Sequence, residues 1–241
     1  MLRRIRIILA TLFFLSVTAL FIDSTGMAKE WLGWTAKIQF LPALLALNVV
    51  TVLALVVLTL LVGRAYCSVI CPLGVMQDVI SRISGLRKKK KSRFSYSGEK
   101  KWLRYGILVI FVVALVAGLT PLAALLAPYS SYGRMVSSVV SPSLSPVAIV
   151  AAVSFVVVAI MSWLGGRTYC NTICPVGTIL GFFSRFALFR PVINTSKCNS
   201  CKRCAKKCKA SCIDAKNHRI DYSRCVACMD CIKNCKHGAL T

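Results

Sequence analysis

Apolar and polar positions along this chain fall into long blocks, not the short alternation expected of strands. Four apolar stretches occupy residues 5–22, 41–62, 105–126 and 147–164. Each is close to the ~20 residues that carry a helix through a hydrocarbon layer. Backbone placed in lipid must satisfy its own hydrogen bonds, so the pattern predicts four membrane-spanning helices. Asn48, Thr51 and Thr59 interrupt the second stretch, and Gly118, Thr120 and Pro121 the third. A helical bundle tolerates such residues because neighbouring helices supply partners. The first stretch has two readings: a span, or a secretory signal with a basic start and a small-residue end at Val17-Thr18-Ala19. Residues 191–241 hold no apolar run and are rich in cysteine. The expected organisation is an all-α membrane unit over 1–190 followed by a small α+β unit over 191–241.

The chain is 57% hydrophobic and carries a formal charge of +24, so grease and charge must be segregated. With a cytoplasmic N-terminus, four crossings leave residues 23–40 and 127–145 outside. Those loops contain Lys29, Lys37 and Arg134, against 28 of the 31 Lys and Arg residues on the inner side. The positive-inside rule therefore places both termini in the cytoplasm of a multi-pass protein of a bacterial cytoplasmic membrane. Arg87 to Lys91, with Arg93, Lys100 and Lys101, reads as topological retention and attraction to anionic lipid instead of a nucleic-acid surface.

Two internal repeats stand out. GRAYCSVICPLGVMQDVISR (63–82) and GRTYCNTICPVGTILGFFSR (166–185) align without gaps at an offset of 103, with ten of twenty positions identical. Chance gives roughly one or two. The membrane unit is thus expected to be two parallel hairpin repeats, each ending in a cysteine motif. A second repeat, at an offset of 27, maps Cys198, Cys201, Cys204 and Cys208 onto Cys225, Cys228, Cys231 and Cys235.

A doubled C-x2-C-x2-C-x3-C run is a specific signature of two [4Fe–4S] clusters, because three close thiolates bind three irons and the fourth ligand comes from elsewhere. In two-cluster ferredoxins the fourth cysteine of each run serves the other cluster. Carried onto this chain, one cluster takes Cys198, Cys201, Cys204 and Cys235, and the other Cys225, Cys228, Cys231 and Cys208. Zinc sites more often pair two C-x2-C units, and reducing cytoplasm disfavours disulfides. Lys209 and Lys236 replace the proline usual after the fourth cysteine, which implies a looser or more solvated turn. Cys212 aligns with Ala239 and reads as a small packed residue or a spare ligand. The segment carries 11 Lys and Arg against Asp214, Asp221 and Asp230, a formal +8. Such charge raises cluster potentials and favours an acidic partner or the membrane surface.

Cys67 and Cys71, and Cys170 and Cys174, form two C-x3-C-P pairs. Pro72 and Pro175 suit the first turn of a helix, which puts Cys71 and Cys174 near its N-cap. Packed about a pseudo-twofold axis, the four thiols converge as a redox or metal-binding element. The bland alternative is a helix-breaking turn with cysteines as small hydrophobes. Arg64 and Arg167 flank the motifs, as contacts to a quinone headgroup or thiolate, or as interfacial anchors.

The arrangement resembles the NapH family of membrane ferredoxins and the related membrane part of NosR, over nearly the whole chain. That resemblance implies oxidation of quinol and passage of electrons through two [4Fe–4S] clusters to a partner reductase. The expected partners are membrane lipid, the quinone pool and a redox protein, with no nucleic acid. The chain is expected to be an electron-transfer subunit, a quinol dehydrogenase component in enzymatic terms, not a stand-alone enzyme. Two other classes fit the same motifs: an electron donor for copper or cofactor maturation, and a redox-sensing regulator. His218 and His237 are the only histidines, which disfavours transmembrane b-type haem. C-x-x-C-H, dinucleotide and Walker-type motifs are missing.

Overall fold

A computed structural model describes residues 2–23, 26–87, 94–141 and 145–241. Most of the basic run, residues 88–93, lies outside the described residues. The first half contains α1 (Leu2–Ile22), α2 (Met27–Lys37), α3 (Phe40–Leu45), α4 (Val49–Val62), α5 (Ala65–Val69) and α6 (Pro72–Arg87). The second contains α7 (Lys101–Val116), α8 (Thr120–Leu126), α9 (Pro128–Val140), α10 (Pro146–Gly165), α11 (Thr168–Thr172) and α12 (Pro175–Ser184). The offset of 103 read from the sequence superimposes α5 on α11 residue for residue.

Two of the four expected spans are single helices, α1 and α10, both long and apolar enough to cross a membrane. The other two are broken. Within 41–62 the chain leaves α3, passes Leu47 at a left-handed φ of 51°, and restarts at α4, whose N-terminus is capped by Asn48 accepting from the Thr51 N–H at 3.1 Å. Within 105–126, Gly118 at φ 71° ends α7, and Pro121 in the first turn of α8 starts the next helix. Of the residues read as tolerated interruptions, Asn48, Gly118, Thr120 and Pro121 mark helix ends, since a cap and a fixed φ serve a new N-terminus better than a helix interior, whereas Thr51 and Thr59 lie within α4 as expected. The expected external loops are largely helical as well: α2 lies within 23–40 and α9 within 127–145. Ser131, Tyr132, Gly133 and Met135 bury one face of α9, which packs on α1 and α10.

Helix packing repeats the sequence symmetry by exchange. The helix after the first motif, α6, packs on α10 and α1, while the helix after the second, α12, packs on α4 and α7. Each repeat therefore closes against the other. Polar side chains share the interior with apolar ones, Thr59, Ser68, Gln77 and Ser162 being buried, while Leu12, Leu53, Val109, Val113, Val153 and Ile160 face outward.

Two short helices, α13 (Arg203–Lys207) and α14 (Asp230–Asn234), and a two-stranded antiparallel sheet make up the C-terminal unit. Strand β1 (Ile213–Asp214) pairs with β2 (Arg219–Ile220), with Ile213 opposite Ile220. A bridge between Ile193 and Leu240 joins the two ends of the unit. Its docking onto the helices is specific. The Arg167 N–H donates to the Lys209 carbonyl at 2.8 Å, Asn171 Nδ2 to the Ala210 carbonyl at 3.1 Å, and Ser184 Oγ to the Tyr222 carbonyl at 2.9 Å.

Gly74 and Gly177, one turn into α6 and α12, allow a close approach between the two repeats. A Cβ at Gly177 would collide with the Cys170 carbonyl and the Arg64 guanidinium, and one at Gly74 with the Cys67 carbonyl and Arg167. Gly177→Ala is expected to destabilise the protein by about 1–3 kcal/mol through overpacking. Gly98→Ala, where a Cβ meets nothing within 4 Å, is expected to leave the unfolding midpoint unchanged.

Candidate cysteine centres

The C-terminal unit builds its ligand loops with unusual backbone. Ser200 and Lys202 in the first run have φ of 54° and 59°, and Ala227 and Met229, their counterparts at an offset of 27, have 48° and 58°. Left-handed backbone at non-glycine residues costs on the order of 1–3 kcal/mol each and persists where the surroundings impose it. Here it recurs at matching positions of both cysteine loops.

Cys198, Cys201, Cys204 and Cys235 line one cavity, closed by Ile193, Ala239 and Leu240. Three come from the first run and the fourth from the second. Cys201 is exposed, and Asn199 and His237 share a hydrogen bond of 3.0 Å at the rim. The second set, Cys208, Cys225, Cys228 and Cys231, forms a separate group in which Cys231 lies near the other three. Three of its members, Cys208, Cys228 and Cys231, are buried. Burial pushes the Cys228 thiol up to about 12, so a thiolate there needs a cation beside it.

Donor chemistry and grouping both fit cubane clusters. Four thiolates per cluster, each on its own iron, stand farther apart than the ligands of a single ion. Among the described residues, no group of three or more His, Cys, Asp or Glu is gathered tightly enough for one metal ion.

Cys212 is packed, as its small size implies, but its position carries more than packing. Its Sγ lies 3.5 Å from Cys208 Sγ, and it also hydrogen-bonds Cys225, so it touches two members of the buried set. That hydrogen bond lowers the Cys208 thiol below its ordinary value. Alignment with Ala239 concealed this contact, because the repeat compares positions within the chain and not neighbours across it.

Lys209 is neither loose nor solvated. Its ammonium reaches Asp78 at 2.8 Å and Asp230 at 3.4 Å, tying the turn after Cys208 to α6 and α14. Lys236, by contrast, is exposed.

The C-x3-C-P cysteines lie beneath the buried set, all four buried and interacting with one another. Cys174 caps α12, accepting from the Gly177 N–H at 3.4 Å, and Cys71 accepts from the Gly74 N–H at the start of α6. Arg64 and Arg167 are not interfacial anchors, since both are fully buried. Each reaches across to the other repeat: Arg64 Nη2 donates to the Cys170 carbonyl at 3.0 Å, and Arg167 Nη1 to the Cys67 carbonyl at 2.5 Å. Arg64 also bonds Asn171 at 2.7 Å and the Ser223 carbonyl at 3.2 Å, two residues before Cys225.

Asp78 on α6 neutralises Arg167 at 2.7 Å, together with Arg6 and Lys209. Burial alone would raise its carboxyl, but Arg167, Lys209 and Arg6 hold it well below the carboxylate range. In the second repeat the equivalent position is Gly181, where a Cβ would collide with Arg104 and the Ser223 carbonyl. A basic cleft of about 530 Å³ opens beside Asp78, between α1, α6 and the C-terminal unit, with Arg82, Lys207 and Lys233 on its walls and Ile7 and Val79 on its floor.

Comparison with known proteins places 4Fe–4S binding domains at residues 44–93 and 147–195, and a further one at 219–240. The uncharacterized protein MJ0749 of Methanocaldococcus jannaschii is 24% identical over 85% of this chain and 73% of its own length. The putative electron transport protein YccM of Escherichia coli is 25% identical over 70% of the chain and 47% of its own. The regulatory protein NosR of Stutzerimonas stutzeri is 27% identical over 66% of the chain and 22% of its own. The chain therefore spans less than half of the last two. No solved structure matches it.

Asp78→Asn leaves Arg167 and Lys209 without their shared counter-charge and is expected to cost about 3–5 kcal/mol at neutral pH. Because the folded-state carboxyl is depressed, its contribution is complete above the ordinary carboxylate pKa and declines as pH falls below it. The gap in unfolding free energy between wild type and variant is expected to be constant from pH ~7 to ~5 and to narrow below pH ~4.

Proposed function

This chain carries 4Fe–4S binding domains of the ferredoxin type, and from that premise we propose that it is a membrane-bound relay carrying electrons between the quinol pool and a partner reductase. Cys198, Cys201, Cys204 and Cys235 hold one [4Fe–4S] cluster, and Cys225, Cys228, Cys231 and Cys208 the other. The clusters supply one-electron transfer. The chain's own residues set their environment, order and access.

One observation carries the reading: the buried cysteine set is fastened directly onto the C-x3-C-P motifs. Arg64 bonds the Ser223 carbonyl beside Cys225, and Asn171, next to Cys170, bonds the Ala210 carbonyl, two residues after Cys208. The other set lies at the exposed end, with Cys201 open to solvent. This supports a linear order from the motif cysteines, acting as a redox or metal element, to the buried cluster, to the exposed cluster, and on to a soluble partner. The formal +8 of residues 191–241 suits an acidic partner surface.

An outward-facing apolar surface of this extent supports placement in a lipid bilayer, as four spanning segments in two parallel repeats. The distribution of Lys and Arg supports cytoplasmic termini. With Arg64 and Arg167 buried, the basic cleft beside α1 and α6 is the better approach for a membrane donor.

Anaerobically purified protein in proteoliposomes is expected to show quinol-dependent reduction of its clusters by EPR. Cys67→Ser with Cys170→Ser should slow that reduction at least tenfold while the tail keeps its iron. Full rates in the double variant would remove the motifs from the path, and fewer than about eight irons in the wild type would contradict two cubanes.

A further inference from the structure

We infer that the basic cleft between α1, α6 and the C-terminal unit binds one anionic phospholipid, with its phosphate on Arg82, Lys207 and Lys233 and its acyl chains along α6. The inference rests on the membrane placement of this chain and goes beyond it by giving a lipid a defined seat.

Charge in the cleft is unbalanced. Six Lys and Arg side chains line it against two carboxylates, Asp78 and Asp230. Both carboxylates are already engaged, Asp78 by Arg6, Arg167 and Lys209, and Asp230 by Arg3 at 2.6 Å and Lys209 at 3.4 Å. Among the described residues, Arg82, Lys207 and Lys233 are left without a carboxylate partner, and all three are exposed. They come from α6, α13 and α14, so the fold brings three like charges to one cleft. Such charges repel unless an anion joins them. The counterpart of Arg82 at the offset of 103 is Arg185, which bonds Tyr105 at 3.2 Å and stands 3.8 Å from Glu99. The first repeat leaves open the charge that the second repeat pairs.

The helix side of the cleft is apolar. Val79, Ile83 and Leu86 line it at i, i+4 and i+7, so they share one face of α6, and all three are exposed. Along α1 the lining passes from Arg3 and Arg6 to Ile7 and Ala10 and ends at Thr11. That is an advance of about 12 Å along the helix axis. The cleft therefore grades from cations at one end to hydrocarbon at the other, in the direction in which α1 is apolar enough to enter a membrane. Its volume of about 530 Å³ is that of a ligand cleft.

The two features together select the occupant. A free phosphate pairs with the cations and leaves the apolar face of α6 in water, and an acidic polypeptide does the same. An uncharged quinol approaching by this cleft uses its floor and leaves the cationic wall unpaired. An anion carrying hydrocarbon chains satisfies both sides at once.

The test is native mass spectrometry of the full chain in a neutral detergent, titrated with phosphatidylglycerol or phosphatidylcholine. One phosphatidylglycerol is expected to be held about tenfold more tightly than phosphatidylcholine. Arg82→Gln/Lys207→Gln/Lys233→Gln is expected to abolish that preference. Lys197→Gln/Lys216→Gln/Lys236→Gln, the same change of charge at other exposed positions, is expected to keep it. Should the first variant fail to fold, Arg82→Gln alone is the second probe, expected to weaken phosphatidylglycerol about fivefold. Equal binding of the two lipids, or equal loss in the two triple variants, overturns the site. Displacement of the lipid by inorganic phosphate, or by polyglutamate, overturns it in favour of a free anion or an acidic protein. A chain that stays dispersed without detergent would instead strike the membrane placement beneath the inference.

Discussion

Two guanidiniums buried in the interior govern this architecture. Arg64 and Arg167 hold no exposed surface, and each spends a donor on the carbonyl of the first motif cysteine in the opposite repeat. Such a contact cannot form within one repeat. It forces α5 and α11 side by side, which requires glycine at positions 74 and 177 because any Cβ would occupy the guanidinium's place. The exchange of α6 and α12 between repeats follows from the same crossing. A buried ion that loses its partners is costly, so the latch fixes the geometry of the four cysteines beneath it more firmly than apolar packing alone would.

Symmetry is broken where the C-terminal unit must dock. Asp78 in the first repeat gathers Arg6, Arg167 and Lys209, while its counterpart Gly181 clears space for Arg104 and the Ser223 carbonyl. One repeat thus provides charge and the other provides room. The unit carrying the eight paired cysteines is held over the motifs on both sides, with its buried set inward and its exposed set outward.

The helices around this core expose an extensive apolar surface. Small polar side chains such as Thr59 and Ser162 are buried between helices, where they permit close approach, and valine and leucine cover the outside. Hydrogen-bonded contacts like the arginine latch and the close packing at the glycines hold the repeats together.

The sequence by itself determined the cysteine runs, their doubling at offsets of 103 and 27, and the placement of charge at the ends of apolar stretches, because each is a matter of local spacing. The ferredoxin pattern also led to the expectation that Cys235 and Cys208 are exchanged between the two cysteine sets. Tertiary structure decided the rest. Leu47 and Gly118 end helices that read as continuous, because hydropathy records burial and not φ. The burial of Arg64 and Arg167, the pairing of Lys209 with Asp78, and the contact of Cys212 with Cys208 each join residues far apart in the chain or in different repeats. Long basic side chains look alike in sequence whether they anchor at an interface or lie in a core, and only the partners that surround them distinguish the two.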